Sequence, residues 1–246
     1  METFTTGQPW FDELIPRGIR VPSSTIISGG GGTGKPLVGA MLLTAWLQKG
    51  GSIIHFLINS DREYAEKILS LYHLNPSQFA RQIYFIHFDP EISTIQEVSE
   101  NEVRANILLP DHWEKSLSLA RGHLPDSDLP PYIFGAALNL LFFSRTYGND
   151  IAQRVLNLMK QGEHCLFTLS NNVFQDKARM LEDMADNLMF TRTEKPMRLF
   201  LKITRMKDVP FKTEEVEVPL SEKELRNLRA EAEKSRKHLI PIISQV

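Results

Sequence analysis

The sequence contains a single cysteine, Cys165, among its 246 residues. One cysteine can form neither a disulfide within the chain nor a cysteine metal cage. Cys165 lies in an apolar run, which indicates a buried, inert thiol rather than a nucleophile. The histidines show no spacing of the H-x-x-x-H kind. The sequence therefore predicts no metal site built from cysteine or histidine.

The chain also lacks an excess of charge and a long apolar run. Its 28 lysines and arginines stand against 30 aspartates and glutamates, for a formal net charge of −2. This balance gives no electrostatic case for strong binding to nucleic acid or to an acidic membrane. The apolar stretch Tyr132–Phe143 is too short to span a bilayer, and residues 1–6 do not resemble the start of a signal peptide. We therefore expect a cytoplasmic protein with no membrane partner.

What the sequence does contain is enough apolar material for a core, since 42% of its residues are hydrophobic and 24% are charged. We expect one main domain over residues 1–220. Residues 221–246 form a separate appendage in this interpretation. Ser221 and Glu224 have the spacing of a capping box and open a charged helix that runs to His238, and the apolar tail Leu239–Ile243 follows it.

Apolar strands alternate with amphipathic helices through most of the chain. Several of these strands, such as Ser52–Asn59 and Ile83–His87, are apolar on both faces. Strands that are apolar on both faces and alternate with helices are typical of an α/β fold, in which helices cover both faces of a mostly parallel sheet. The stretch from Asp89 to Asn106 is acidic and has little periodicity. Its run Asp89–Glu102 is predicted to be a solvated loop rather than a cation site, because its carboxylates lack the order of a calcium loop.

The central motif is a glycine loop between a strand and a helix. Residues 29–35 match G-x-x-x-x-G-K, the loop whose backbone N–H groups cradle phosphates and whose lysine reaches the β- and γ-phosphates. The helix that follows adds its unpaired N–H groups and the positive end of its dipole. The predicted nucleotide-binding residues are Gly29, Gly30, Gly31, Gly32, Thr33, Gly34, Lys35, Pro36 and Leu37.

Pro36 breaks the motif at its last position, where a serine or threonine hydroxyl would bind Mg²⁺. Proline removes this hydroxyl and one backbone N–H, although it is well tolerated as the opening residue of a helix. We expect the fold to survive and the binding of phosphate and metal to weaken. A loop that merely turns the chain is the structural alternative.

At this point the sequence resembles the RecA superfamily and, within it, the single-domain relatives of KaiC. The resemblance rests on the lead-in from Thr6-Gly7 to Gly18-Ile19, on the glycine loop, on Ala185–Met189 and on the basic segment Lys202–Lys207. It covers about residues 3–220 and is weakest between residues 84 and 130. It implies a RecA-like P-loop fold that binds ATP or ADP.

Two further positions depart from the pattern of that family. Relatives carry an acidic metal anchor where this chain has Gly135, followed by Ala136. They carry a pair of acidic residues after the second strand, and the first of the pair activates water. Here the pair reads Ser60-Asp61, so Asp61 is the remaining catalytic candidate, although a shorter carboxylate at the neighbouring position is a poor substitute.

The basic pair Arg205 and Lys207 corresponds in position to a basic pair of the family that the sequence resembles. Relatives use a Lys-x-Arg pair on this strand to reach the γ-phosphate held by the next subunit, which implies a ring or filament of identical chains. The alternative is that both side chains simply face water from one side of a strand. DNA binding is not predicted, because Arg145 and Tyr147, where recombinase relatives place DNA-binding loops, lie in no basic cluster.

Three functions therefore remain open. The leading hypothesis is a protein that binds or senses a nucleotide without turning it over and acts through self-assembly or a protein partner. The second is an active Mg²⁺-dependent ATPase in which Asp61 supplies the acid. The third is a scaffold that no longer binds nucleotide.

Overall fold

The structure is a computed structural model that describes residues 2–195, 198–220, 226 and 237–245. The strands are β1 (Glu2–Phe4), β2 (Ile19–Val21), β3 (Ser24–Gly29), β4 (Ile53–Leu57), β5 (Ile83–Phe88), β6 (Gln96–Ser99), β7 (Glu102–Ala105), β8 (Tyr132–Gly135), β9 (Cys165–Ser170), β10 (Asn187–Glu194), β11 (Arg198–Arg205) and β12 (Glu215–Glu217). The α-helices are α1 (Pro9–Asp12), α2 (Lys35–Gln48), α3 (Arg62–Ser70), α4 (Pro110–His123), α5 (Gly148–Lys160) and α6 (Gln175–Met184). Two 3₁₀ helices span Pro76–Gln82 and Leu138–Phe143.

Ten of these strands form one sheet in the order β12-β11-β10-β3-β9-β8-β4-β5-β7-β6. The seven neighbouring strands from β10 to β7 are parallel, and antiparallel strands complete the sheet at each side. After β3 the chain moves out to β4 and β5, and β8 and β9 later fill the two places between β4 and β3. β1 and β2 pair separately as an antiparallel hairpin.

Helices cover both faces of the sheet. On one face, α2 and α3 pack against side chains such as Ile53 and Leu57. On the other face, α4, α5 and α6 pack against the alternate residues of the same strand, Ile54 and Phe56. Successive side chains of a strand point to opposite faces. This two-sided burial explains why the strands are apolar throughout.

The carboxyl ends of β3, β4, β8 and β9 meet at one edge of the sheet because these strands are parallel. Ligands bind at this edge in open α/β sheets. The glycine loop after β3, residues 59–61 after β4 and residues 136–137 after β8 all emerge here. The fold thus brings together segments that are far apart in the sequence.

The segment from Asp89 to Asn106, whose run Asp89–Glu102 was predicted to be a solvated loop, is not a loop throughout. It contains the antiparallel hairpin of β6 and β7, which extends the sheet beyond β5. Val103 and Ala105 are fully buried, and only 7% of Glu102 is exposed. The pattern was missed because all four residues of β6 are exposed and β7 is too short to show alternation.

The predicted charged helix falls mostly on residues 221–225 and 227–236, which lie outside the described residues. Residues 237–243 are helical. In this apolar tail Ile243 is fully buried, and Leu239 and Ile240 pack against the core formed with α4, α5 and α6. Within the described ranges, no helix is both long and apolar enough to cross a membrane.

Candidate functional site

The glycine loop joins the end of β3 to the start of α2. Gly29 has φ 153°, and a Cβ atom at this residue would lie 2.2 Å from the carbonyl oxygen of Thr191. Gly34 has φ 63° and precedes the first residue of α2. Both positions therefore require glycine. Gly31 and Gly32 are exposed, so the outer part of the loop is open to a ligand.

Lys35 folds back into the loop that it follows. Its Nζ donates to the carbonyl oxygens of Gly29 at 3.1 Å and Gly30 at 2.5 Å, and to Oγ1 of Thr33 at 3.2 Å. The side chain is buried, and burial lowers the pKa of Lys35 to about 8. Each of these three acceptors is neutral. The loop therefore holds a buried ammonium group whose hydrogen-bond partners carry no compensating charge.

Thr33 fastens the loop to the neighbouring strand β10. Its hydroxyl donates to the carbonyl oxygen of Gly30 at 2.8 Å and lies 2.9 Å from the hydroxyl of Thr191. Thr191 is 3% exposed. No sequence signal pointed to Thr191, because it lies far along the chain and meets the loop only through the pairing of β10 with β3.

A small cavity of about 30 Å³ lies beside the first turn of α2. It has room for one or two water molecules. Pro36, Ser60 and Ala136 all line it. Pro36 and Ser60 stand where the resemblance predicts other residues, and Ala136 directly follows Gly135, which does so too. The remaining described lining residues are Ala40, Leu43, His55, Asn59, Tyr64, Ala65, Ile68, Leu69 and Phe134.

His55 is the one imidazole among those lining residues, and the sequence predicted no functional role for it. It is 6% exposed, and its Nδ1 has no hydrogen-bond partner among the described residues. Burial lowers the pKa of His55 to about 3, so the ring is neutral near pH 7. Its position on an apolar strand offered no signal that it would border the site.

Gly135 is the last residue of β8, and its two neighbours in the sequence, Phe134 and Ala136, line this cavity. A Cβ atom at this residue would lie 2.9 Å from the ring of Phe167 and 3.5 Å from Ile58. Phe167 is fully buried on the adjacent strand β9. The space into which a carboxylate at residue 135 would project is therefore filled by an aromatic ring.

These residues do not fit a Mg²⁺ ion. Magnesium is held by carboxylate, hydroxyl, phosphate and water oxygens in octahedral geometry. Pro36 supplies no hydroxyl, Gly135 supplies no carboxylate, and much of the cavity wall is apolar. Among the described residues, no group of three or more His, Cys, Asp or Glu side chains is placed to hold a metal.

Asp61 lies on the far side of Ser60 from this cavity. Its carboxylate accepts a hydrogen bond from the backbone N–H of Tyr64 at 2.8 Å and so caps the start of α3. It is exposed and borders a wider cleft of about 680 Å³ that extends to β5, β7 and the C-terminal helical residues. The structure thus places Asp61 beside the predicted site, where one of its carboxylate oxygens caps a helix.

The wider cleft is poorly suited to phosphate. Its charged lining residues include four carboxylates and two cations, which are Asp61, Glu63, Asp89, Glu91, Lys67 and Arg104. Carboxylates repel an anionic ligand. The glycine loop, with its buried lysine, is therefore the better candidate for the anion site, although its cavity is much smaller.

Arg205 and Lys207 lie toward the amino ends of the parallel strands, away from the glycine loop. Arg205 pairs with Leu188, and its guanidinium donates to the carbonyl oxygen of Glu182. Leu188 pairs with Ile26, three residues before Gly29, which corresponds to roughly 10 Å along the strand. The ammonium of Lys207 donates to Asp186 at 3.0 Å. Within one chain, both side chains are thus held by residues 182 and 186 and not by the loop.

The comparisons with known proteins identify the fold. No protein-family model matches the chain, and no curated protein matches it significantly. Among solved structures it resembles a KaiC-like protein of the hyperthermophilic archaeon Pyrococcus horikoshii, with a TM-score of 0.64 and 13% sequence identity. The match covers 89% of this chain and 95% of that chain. This likeness confirms the predicted α/β fold with a mostly parallel, RecA-like sheet.

Proposed function

We propose that this chain binds the phosphates of ATP or ADP at the glycine loop and hydrolyses the nucleotide little or not at all. The observation that carries the proposal is Lys35, a buried cation whose hydrogen-bond acceptors are all neutral. Burying a charge without a partner is costly. A phosphate placed over the loop would supply the missing negative charge, and the exposed backbone of Gly31 and Gly32 leaves room for its approach.

Loss of hydrolysis follows from the neighbouring positions. Phosphoryl transfer depends on positioning and on neutralising charge around Mg²⁺. Pro36 and Gly135 lack the oxygen donors for the metal, and Asp61 is engaged as the cap of α3. We infer that a bound nucleotide acts as a signal, which the chain passes on through assembly with itself or with a protein partner.

Isothermal titration calorimetry with ADP and ATP tests this proposal. We expect binding by the natural chain and a loss of at least about 30-fold, or 2 kcal/mol, in Lys35→Ala. Lys49→Ala is the matched control, because Lys49 follows the other end of the same helix and contacts Glu2 at the surface. Flat titrations of the natural chain would leave only the scaffold hypothesis.

A phosphate-release assay on the same samples separates the proposal from the ATPase hypothesis. We expect no release above that of a sample without protein. Release at a rate typical of ATPases that disappears in Lys35→Ala would show an active enzyme, and the proposal would then be wrong.

A further inference from the structure

We propose that the glycine loop selects a nucleoside diphosphate without Mg²⁺ over the triphosphate with Mg²⁺. This inference rests on the proposed function and names the ligand class of the same site. It is carried by the cavity that Pro36, Ser60 and Ala136 share. Pro36 occupies the position whose hydroxyl binds Mg²⁺ in the intact motif.

The first two phosphates find their partners in the loop itself. Backbone N–H groups of the loop and the start of α2 face the first phosphates, and the lysine reaches the one beyond them. A diphosphate that replaces the loop carbonyls as the partner of Lys35 satisfies its ammonium group. A diphosphate therefore needs no hydrogen bond or charge from the residues that line the cavity beside Pro36.

A third phosphate brings further negative charge, which needs positive charge beside it. The cavity holds one or two water molecules by volume. Asn59, Ser60 and Tyr64 line it and are neutral, and Pro36, Ala40 and Ala136 present only apolar side chains to it. Its described lining residues include no lysine or arginine. Lys35 would therefore face the added negative charge alone.

The polar side chains around the cavity do not supply the missing charge. The His55 imidazole is buried and neutral, so it offers a hydrogen bond but no cation. Asp61 and Glu63 lie beyond Ser60 and add negative charge on that side. Mg²⁺ would normally offset the charge of a triphosphate, but the donor set here does not fit that ion.

The selectivity is measured by titrating the full chain with ADP, ATP and AMP, each with and without Mg²⁺. We expect ADP to bind about tenfold or more tightly than either ATP or AMP. The apparent affinity for ADP should fall when Mg²⁺ is added, because Mg²⁺ converts free ADP into a complex that the loop does not fit. AMP is weaker because it lacks the phosphate that Lys35 contacts. ATP with Mg²⁺ that binds as tightly as ADP, or more tightly, would overturn the inference.

The outcomes separate this inference from the proposed function. If no nucleotide binds the natural chain, the proposed function fails. If ATP with Mg²⁺ is preferred and binding still depends on Lys35, only the selectivity is wrong.

A variant tests the structural cause. Pro36→Thr restores a hydroxyl at the first turn of α2, and we expect it to narrow the ratio between ADP affinity and ATP affinity in the presence of Mg²⁺. Thermal denaturation verifies that the variant is folded. A folded Pro36→Thr variant with an unchanged ratio would mean that the cavity does not set the selectivity, and the structural cause proposed for it would be wrong.

Discussion

Residue 135 is a glycine whose missing side chain leaves space for the ring of Phe167. Replacing it with alanine would bring a Cβ atom to 2.9 Å from that buried ring. Such overpacking costs about 1–3 kcal/mol, and a carboxylate would add an unpaired charge. We expect Gly135→Ala to lower the melting temperature and Gly135→Asp to lower it further.

Gly122 is the matched control for this prediction, since a Cβ atom there meets nothing within 4 Å. It lies in the last turn of α4, so alanine should stabilise the helix by at most about 0.5–1 kcal/mol. Thermal denaturation of the variants should therefore give shifts of opposite sign. A Gly135→Asp variant as stable as the natural chain would show that the position still accepts a metal-binding carboxylate.

Lys35 should make nucleotide affinity depend on pH. Its pKa is about 8 in the folded chain, against an ordinary value of 10.5, because burial disfavours the charged form. A bound phosphate favours the charged form and raises this pKa. Below pH 8 the lysine is already protonated and contributes fully. Above pH 8 binding must take up a proton, so ADP affinity should fall by up to about tenfold per pH unit.

Titrations with ADP between about pH 7 and pH 9.5 check this expectation. Lys35→Arg is an informative companion, because a guanidinium keeps its charge over the whole interval. Any affinity that this variant retains should not change with pH in that range. If the ADP affinity of the natural chain stays constant up to pH 9.5, then Lys35 does not have a lowered pKa in the free chain, and this prediction is wrong.

Helix α3 begins at Asp61, and the carboxylate of this residue accepts the N–H of Tyr64. Loss of such a cap typically costs about 1 kcal/mol, whereas asparagine caps almost as well. We expect Asp61→Ala to lower the free energy of unfolding by about this amount and Asp61→Asn to leave it nearly unchanged. Chemical denaturation measures both variants, and neither substitution should alter ADP affinity.

The contrary result for Asp61 is equally specific. If the natural chain releases phosphate from ATP and Asp61→Asn abolishes that release without loss of stability, Asp61 serves as a base. Capping would then be its secondary role.

Elements with a strong local pattern could be predicted from the sequence, and those shaped by distant contacts could not. The order of strand, glycine loop and helix from β3 to α2 was predicted, because the motif at residues 29–35 fixes the turn. The 3₁₀ helix Leu138–Phe143 was not predicted, since its apolar residues have no clear period. Its buried apolar side chains belong to the core formed with α4, α5 and α6.

The candidate site shows the same division. Its glycines and Lys35 were visible in the sequence because their chemistry depends on neighbours within the motif. Phe167 and Thr191 were not, because they reach the site only through the order of the strands in the sheet. That order depends on pairings between residues more than a hundred positions apart, such as Ile27 with Thr168.

For the whole molecule, the placement of Arg205 and Lys207 bears on assembly. Within one chain they contact residues 182 and 186 and not the glycine loop, so we expect a contact with bound phosphate to come from a second chain. Head-to-tail contacts between identical chains produce rings or filaments. Within one chain the same side chains bind Glu182 and Asp186, which is the competing, structural explanation.

Sedimentation of the chain with and without ADP tests assembly. We expect ADP to raise the average mass of the natural chain and to have no such effect on the double variant Arg205→Ala and Lys207→Ala. Lys202→Ala is the control, because Lys202 is an exposed residue of the same strand β11. A double variant that assembles normally but unfolds more easily would assign the basic pair to structure alone.

A mixture of two defective variants decides whether the contact is made between chains. Lys35→Ala has an intact basic pair, and the double variant has an intact loop. Each alone should fail to assemble with ADP, yet an equal mixture can form a complete interface between one loop and one basic pair. We therefore expect the mixture to sediment as a dimer with ADP. Because head-to-tail growth needs both surfaces on every chain, assembly should stop at two chains instead of continuing to a ring or filament.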